Sequence, residues 1–320
     1  MIFYSKKNNL ASRIVASRIV KAFESIFGDT YPADKYKIVK ELLEYDDIEV
    51  TETDEAFSDD DLLLVHSEDM VSSLNCVLDI GLKGTVLEGS ELPFYSSFPF
   101  KGYFTGIGYA THLAAEYALE NGCAVNLGGG FHHCKSDEAG SCCLINDVAV
   151  SIAKLRDEIK KNLKVLIIDL DLHQGDGNAE IFYNNQKTYI FSIHRNGIYP
   201  NPEDKMEVSD KDVGLWDKSP TKYLKALTSF LKNFKALKPD IIYYIAGADP
   251  YKEDTWPGGG LGLTMKDLQK RDQLVYEFAC DRNIPIVTVL GGGYADVDKV
   301  AKIHYNTIKT MLDVNQIEFV

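Results

Sequence analysis

Five short apolar runs in this chain end the same way, each passing into glycine and ionisable side chains. CAVNL leads into GGGFHH, KVLII into DLDLHQGDGN, TYIFSIH into RN, DIIYYI into AGADP, and IPIVTVL into GGGY. Several of these runs are apolar enough to be covered on both faces, as strands of a parallel sheet are. A further run, LLLVH, also reads as a strand. Helical patterns lie between them: ADKYKIVKELLEY, TGIGYATHLAAEYALENG, DVAVSIAKLRDEIKKN, PTKYLKALTSFLKNFKALK, TMKDLQKRDQLVYEFACDRN and VDKVAKIHYNTIKTMLD. Strand–helix alternation predicts an α/β fold, a parallel sheet sandwiched by helices. No repeat, linker or composition break divides the chain, so residues 1–320 are read as a single domain. Ligands of open α/β sheets bind outside the carboxyl ends of the strands. The five polar stretches are therefore expected to meet along one edge.

Composition narrows the function. With 45% of 320 residues hydrophobic, the chain can bury a large core. It has no apolar run of about 18 residues, so no membrane span is expected. The start, MIFYSKKNNLASRIVASRIV, interrupts its apolar stretches with Lys and Arg and does not read as a signal peptide. A soluble, cytoplasmic protein is the expectation. The formal net charge of −14 would be repelled by phosphate backbones, which argues against nucleic acid and suits cationic ligands such as basic peptides or polyamines. The six cysteines include no CxxC pair, and reduced thiols are the reading. The stretch YDDIEVTETDEAFSDDD reads as a solvated loop and strand edge.

The chemistry is densest in DLDLHQGDGN. Alternate residues of a strand share a face, so Asp169, Asp171 and His173 are expected to point the same way. Charges at the end of a buried strand are costly unless paired or bound to a metal. A lone Asp-x-His would read as a strand end with capping acids. A third ligand changes that: Asp249, in AGADP, closes another strand where small residues allow close approach. Asp171, His173 and Asp249 would leave a position for water, as catalytic zinc sites do, although mixed N/O ligation also suits other first-row metals. The tandem histidines His132 and His133 follow three glycines that can aim both into one cleft. Asp169 and Asp176 are the carboxylates available to orient them, giving a general acid–base apparatus beside the metal. In LGGGY, glycines bring Tyr294 close, where its phenol could donate to a developing oxyanion. An aromatic packed over a glycine turn is the plain alternative.

The order NLGGGFHHC, IIDLDLHQGDGN, AGADP, GLGLT, LGGGY resembles the zinc-dependent histone deacetylase superfamily, from about residue 30 to the C-terminus. GGFHHC, IYP after SIH, and LGGGYADVDKVAKIHYNTI look most like its class IV branch and bacterial relatives. The resemblance implies an arginase-like fold and hydrolysis of an acylated amine, with acylated lysine in a peptide or protein, or an acylated small amine, as substrate. It implies zinc on Asp171, His173 and Asp249, and His133 as general base with Asp176 behind it. His132, paired with Asp169, would assist electrostatically or as an acid, and Tyr294 would polarise the scissile carbonyl. It also implies a structural potassium ion near Asp169, Asp171, His173 and Ser192.

Two stretches depart from the pattern. Many relatives carry Gly-Phe-Cys where this chain has Ser141-Cys142-Cys143, so one wall of the acyl tunnel shrinks from a ring to the Cys142 thiol. Tyr199 would form the opposite wall, with Ser141 and Gly292 also lining the tunnel. A wider tunnel predicts tolerance of acyl groups longer than acetyl, at about 0.8 kcal/mol for each buried CH₂. In ELPFYSSFPFKGYFTG, Glu91 is the acid nearest to the rim position that holds substrate backbone in class I relatives. Two other readings compete. A binuclear manganese ureohydrolase would need further paired aspartates, where GADPYKED offers only Asp249 at the matching place. A silent acyl-lysine binder would not require the complete set of ligands, histidines and tyrosine.

Overall fold

The computed structural model describes residues 1–6, 34–74, 100–200, 208–255 and 259–316. Glu91 lies outside the described residues. In chain order the elements are β1 (Ile2–Ser5), α1 (Lys35–Tyr45), β2 (Thr51–Thr53), α2 (Asp59–Leu63), α3 (Glu68–Ser73), α4 (Phe100–Asn121), β3 (Cys123–Asn126), α5 (Asp147–Glu158), β4 (Val165–Asp169) and α6 (Asp176–Ile181). They continue with β5 (Thr188–Arg195), β6 (Lys211–Leu215), α7 (Pro220–Asn233), β7 (Ile241–Ile245), α8 (Met265–Asp281), β8 (Ile286–Val289) and α9 (Val297–Val314).

The eight strands among the described residues form one sheet in the order β2-β1-β3-β8-β7-β4-β5-β6, and every pairing is parallel. Successive strand residues serve opposite faces. On one face Leu166, Ile168, Phe191, Ile242 and Tyr244 pack with α1, α7, α8 and α9. On the other, Val165, Ile167, Tyr243, Val287 and Val289 meet α4 and α5. Alanines 110, 114, 115 and 118 let α4 lie close to its strands, all four being fully buried. The expected α/β sandwich is what forms.

The strands the sequence did not announce are β1 and β6, while β2 falls in YDDIEVTETDEAFSDDD, read as a solvated loop and strand edge. The outermost two, β2 and β6, keep most of their residues partly exposed, so no apolar run marks them. The reading of LLLVH as a strand is corrected: Leu62 and Leu63 close α2, and the rest turns toward α3. The acids before it decide this. Ser58 and Asp61 form a capping box, and Asp59, Asp60 and Asp61 occupy the first turn, where carboxylates favour a helix N-terminus.

Candidate functional site

At the carboxyl end of β4 the chain runs on as Leu170-Asp171-Leu172-His173. Leu170 and Leu172 are buried in the core, which turns the polar residues between them to the sheet edge. Neighbouring strands grip this segment: Leu170 N–H donates to Ile245 O at 3.1 Å, and Arg195 N–H to Leu172 O at 2.9 Å. Asp249, after β7, accepts from Leu172 N–H at 3.0 Å. The outcome is a compact ligand set, with His173 Nδ1 at 3.2 Å from Asp171 Oδ1 and 3.2 Å from Asp249 Oδ2. An ion bound tetrahedrally at about 2.0–2.2 Å sets its neighbours about 3.4 Å apart, so the three residues fit one. Asp249 Oδ2 is buried with no hydrogen-bond partner, as a waiting ligand atom would be. Gly292 has φ +50°, and a Cβ there would stand 2.6 Å from both Asp171 Oδ2 and Asp249 Oδ1. Only glycine lets the LGGGY loop close over these carboxylates.

The electrostatics of the set ask for positive charge. Burial, then the charge of Asp171, push the Asp249 carboxyl up to about 6. Burial opposes a charged His173, yet Asp171 and Asp249 raise it to about 10. Burial also opposes a charged Asp171, but His132 and His173 hold it well below the usual carboxylate range. Here a proton does what a divalent cation does better.

The histidines come off β3 on a glycine loop that Asp147, the first residue of α5, fastens down. Its carboxylate accepts from Gly130 N–H at 3.0 Å, Phe131 N–H at 2.7 Å and Thr111 Oγ1 at 2.6 Å. His132 Nδ1 then meets Asp169 Oδ2 at 2.8 Å, and His133 Nδ1 meets Asp176 Oδ1 at 2.7 Å. The two ring centroids are 4.1 Å apart. Burial disfavours the charged form of both, but Asp169 and Asp171 outweigh it at His132 and raise it to about 10. At His133 burial and the neighbouring His132 charge prevail over Asp176 and lower it to about 4. The surroundings thus favour the protonated form of His132 and the neutral form of His133.

The structure places the remaining expected residues around this centre. The Tyr199 ring stands edge-on to His133 with centroids 4.9 Å apart. Gly140 lets the Ser141–Cys143 turn press on His133, since a Cβ there would lie 2.1 Å from His133 O. The Cys143 thiol, against the effect of burial, holds the Cys142 thiol at about 7, helped by the charges of Lys35 and His132. Tyr294 follows the glycines, its N–H donating to Asp254 Oδ2 at 2.7 Å and its ring centroid 5.7 Å from Lys35 Nζ. Ser192 sits beside Asp169 in the β4–β5 register, and its Oγ is buried with no hydrogen-bond partner.

Sequence reasoning missed the residues that work through the backbone. Lys35 opens α1, is buried, and donates to Gly292 O and Gly293 O beneath the LGGGY loop. Burial lowers its ammonium to about 8, although Asp249 and other acids oppose the change. His66 Nε2 accepts from Asn146 N–H at 3.0 Å, and Asn146 Nδ2 donates to Cys134 O at 3.0 Å and Asn178 Oδ1 at 2.9 Å. On α8, buried Arg271 donates to Gly247 O at 2.6 Å beside its ion pair with Asp272 at 2.8 Å. An Asn before a helical run is a readable cap signal, and Asn146 caps α5 through Ala149 N–H at 2.9 Å. Nothing local marks Lys35 or Arg271.

Comparison with known proteins gives a consistent answer. Residues 30–311 match the family model of the histone deacetylase domain. The chain is 34% identical over 249 residues to histone deacetylase 2 of Arabidopsis thaliana, covering 73% of the chain and 60% of that relative. It is 31% identical over 263 residues to the acetoin utilization protein AcuC of Staphylococcus xylosus, covering 76% and 66%. It is 32% identical over 208 residues to histone deacetylase 8 of Danio rerio, covering 60% and 52%. The chain thus spans about half to two thirds of the length of these relatives.

Proposed function

The chain belongs to the histone deacetylase domain family, and on that premise we propose that it is a zinc-dependent hydrolase removing acyl groups from the side-chain amine of lysine in peptides or proteins. The observation that carries this reading is the meeting of two histidine–carboxylate pairs with the Asp171–His173–Asp249 set at one strand edge. The class IV branch and its bacterial relatives are the proposed kin, on GGFHHC, IYP after SIH, and LGGGYADVDKV. The chain is read as one catalytic domain. No described helix is long and apolar enough to cross a membrane.

Asp171, His173 and Asp249 would hold the ion, which when bound supplies Lewis acidity toward the acyl carbonyl and lowers the pKa of water. His133 is neutral and oriented by Asp176, so it takes the proton of the attacking water and passes it to the departing amine. His132, kept protonated by its partner Asp169, offsets negative charge gathering at the acyl oxygen. Tyr294 donates its phenolic proton to the same oxygen. The buried, unpartnered Ser192 Oγ beside Asp169 supports a structural potassium ion there, shared with the carbonyls of Asp171 and His173. Cys142 and Tyr199 line the acyl tunnel with Ser141 and Gly292, and the small thiol wall admits chains longer than acetyl.

The test is hydrolysis of acyl-lysine peptides from acetyl to myristoyl by zinc-loaded protein, with and without chelator. Chelator-sensitive turnover is the expected result, with longer chains retained as substrates. Turnover unaffected by chelator would overturn the metal mechanism, and a strong acetyl preference would overturn the wide tunnel. Inactivity on every peptide, with turnover of acetylated polyamines, would move the substrate to small amines.

A further inference from the structure

A second set of histidine and carboxylates stands between α4 and the C-terminal end of α5. His112 and Glu116 are one turn apart on α4, and Glu158 is the last residue of α5. The helix is about 16 Å long, so Glu158 lies well away from Asp147, which fastens the His132–His133 loop at the other end. His112 Nε2 is 3.6 Å from Glu116 Oε1 and 3.5 Å from Glu158 Oε2. One ligand atom from each of the three residues lies within 4.8 Å of the others.

The imidazole is built into place. It is 1% exposed, with ring centroids 6.2 Å from Phe57 and 5.6 Å from Tyr109, and its Nδ1 is buried with no hydrogen-bond partner. Packing therefore aims Nε2 between two carboxylates that remain open to solvent. The distances to them are too long for charge-assisted N–H···O bonds, which close to about 2.7–2.9 Å. They match the roughly 3.4 Å between neighbouring ligands of one tetrahedral ion. Lys154 completes the arrangement. Its ammonium binds Asp61 Oδ1 at 2.7 Å and Glu158 Oε1, leaving Glu158 Oε2 turned to His112. A partner behind a ligand of this kind fixes its orientation.

The geometry points to a divalent-cation site formed by His112, Glu116 and Glu158, with zinc favoured by the N/O donor set and water in the open position. Such an ion clamps the C-terminal end of α5 to the middle of α4. The inference is independent of the proposed deacylase reaction.

Zinc counting on the intact protein tests it. Wild type is loaded with Zn²⁺, passed through a desalting column and measured by mass spectrometry, alongside Glu116→Gln, Glu158→Gln and Asp171→Asn. Two equivalents are expected for wild type and one for each variant, with acyl-lysine turnover unchanged in the two glutamate variants. Glu116 and Glu158 are partly exposed, so their replacement leaves the core intact. Two equivalents in both glutamate variants would overturn the site, as would a single wild-type equivalent that Asp171→Asn abolishes. A single wild-type equivalent abolished by Glu116→Gln and Glu158→Gln would still support it.

Discussion

Two histidine–aspartate pairs stand side by side, matched in bond length at 2.8 and 2.7 Å, yet their surroundings push protonation in opposite directions. His132 hangs from the sheet. Its partner Asp169 ends β4, and its Nε2 is 3.7 Å from a second carboxylate, Asp171. His133 hangs from the helical side through Asp176, the first residue of α6, and its closest charged neighbour besides Asp176 is the His132 ring. Burial penalises a cation at both rings, so the next charge out decides the protonation state. A histidine–carboxylate pair therefore does not declare its role by its own bond. The role is set by what lies one shell further away.

The comparison breaks most severely if the ion that both pairs would face is removed. Asp249→Asn should lower turnover by roughly a thousandfold or more and remove the tightly held ion of the centre, measured by acyl-lysine hydrolysis and metal analysis. The two histidines should then separate. His133→Ala should cost about 10²–10⁴-fold in kcat, the range for a general base. His132→Ala should cost less, about 10²-fold, the low end for removing one group that stabilises a developing oxyanion. Equal losses in the two variants would show that the charge asymmetry has no mechanistic meaning.

Titration sharpens the same contrast. With its value lowered to about 4, His133 is neutral through the whole range above the usual 6.5 and well below it. Protonation removes the base as pH falls, so the acid limb of kcat/KM should lie below pH 6. Asp176 is the group that raises His133 against burial. Asp176→Asn should therefore shift the limb to still lower pH while reducing the plateau rate. A limb that stays near 6.5 in both proteins would mean another group controls the rate.

Motifs carried much of this into the sequence, and the reason is positional. DLDLHQGDGN holds two of the proposed ligands and both aspartates that meet the histidines within eight residues, so the spacing alone proposes their meeting. The opposite protonation preferences of His132 and His133 were invisible, because they depend on Asp171 approaching the His132 ring. Lys35 reaches Gly292 from 257 positions earlier, and its local context is an ordinary amphipathic helix. His112 and Glu116 show a helical i,i+4 spacing that is common on surfaces, and their third partner comes 42 residues later on another helix. The strands followed a related logic: β3, β4, β5, β7 and β8 were legible as apolar runs, β2 and β6 sit at the edges with few buried residues, and β1, although buried, spans only four residues at the start of the chain.

The smallest expected effect concerns what suspends the helical pair. His66 binds Asn146, and Asn146 ties Cys134 O, next to His133, to Asn178, two residues past Asp176. The His132–Asp169 pair depends on it less: Asn178 N–H donates to His132 O at 3.1 Å, but β4 holds the carboxylate. Burial lowers His66 to about 4, with the Lys135 backbone opposing the shift. The folded value lies below the unfolded 6.5, so the unfolded chain binds the extra proton first. The stabilisation is complete above about pH 6.5 and is lost as pH falls toward 4. Between pH 7.5 and 5.5 this linkage amounts to about 1 kcal/mol for one histidine. Urea unfolding of wild type and His66→Gln at both pH values isolates it, because the other buried histidines contribute equally to both proteins. The variant should lose about 1 kcal/mol less than wild type on acidification. An identical loss would mean that His66 is already charged in the folded protein, and that Asn146 N–H is held by something other than a neutral imidazole.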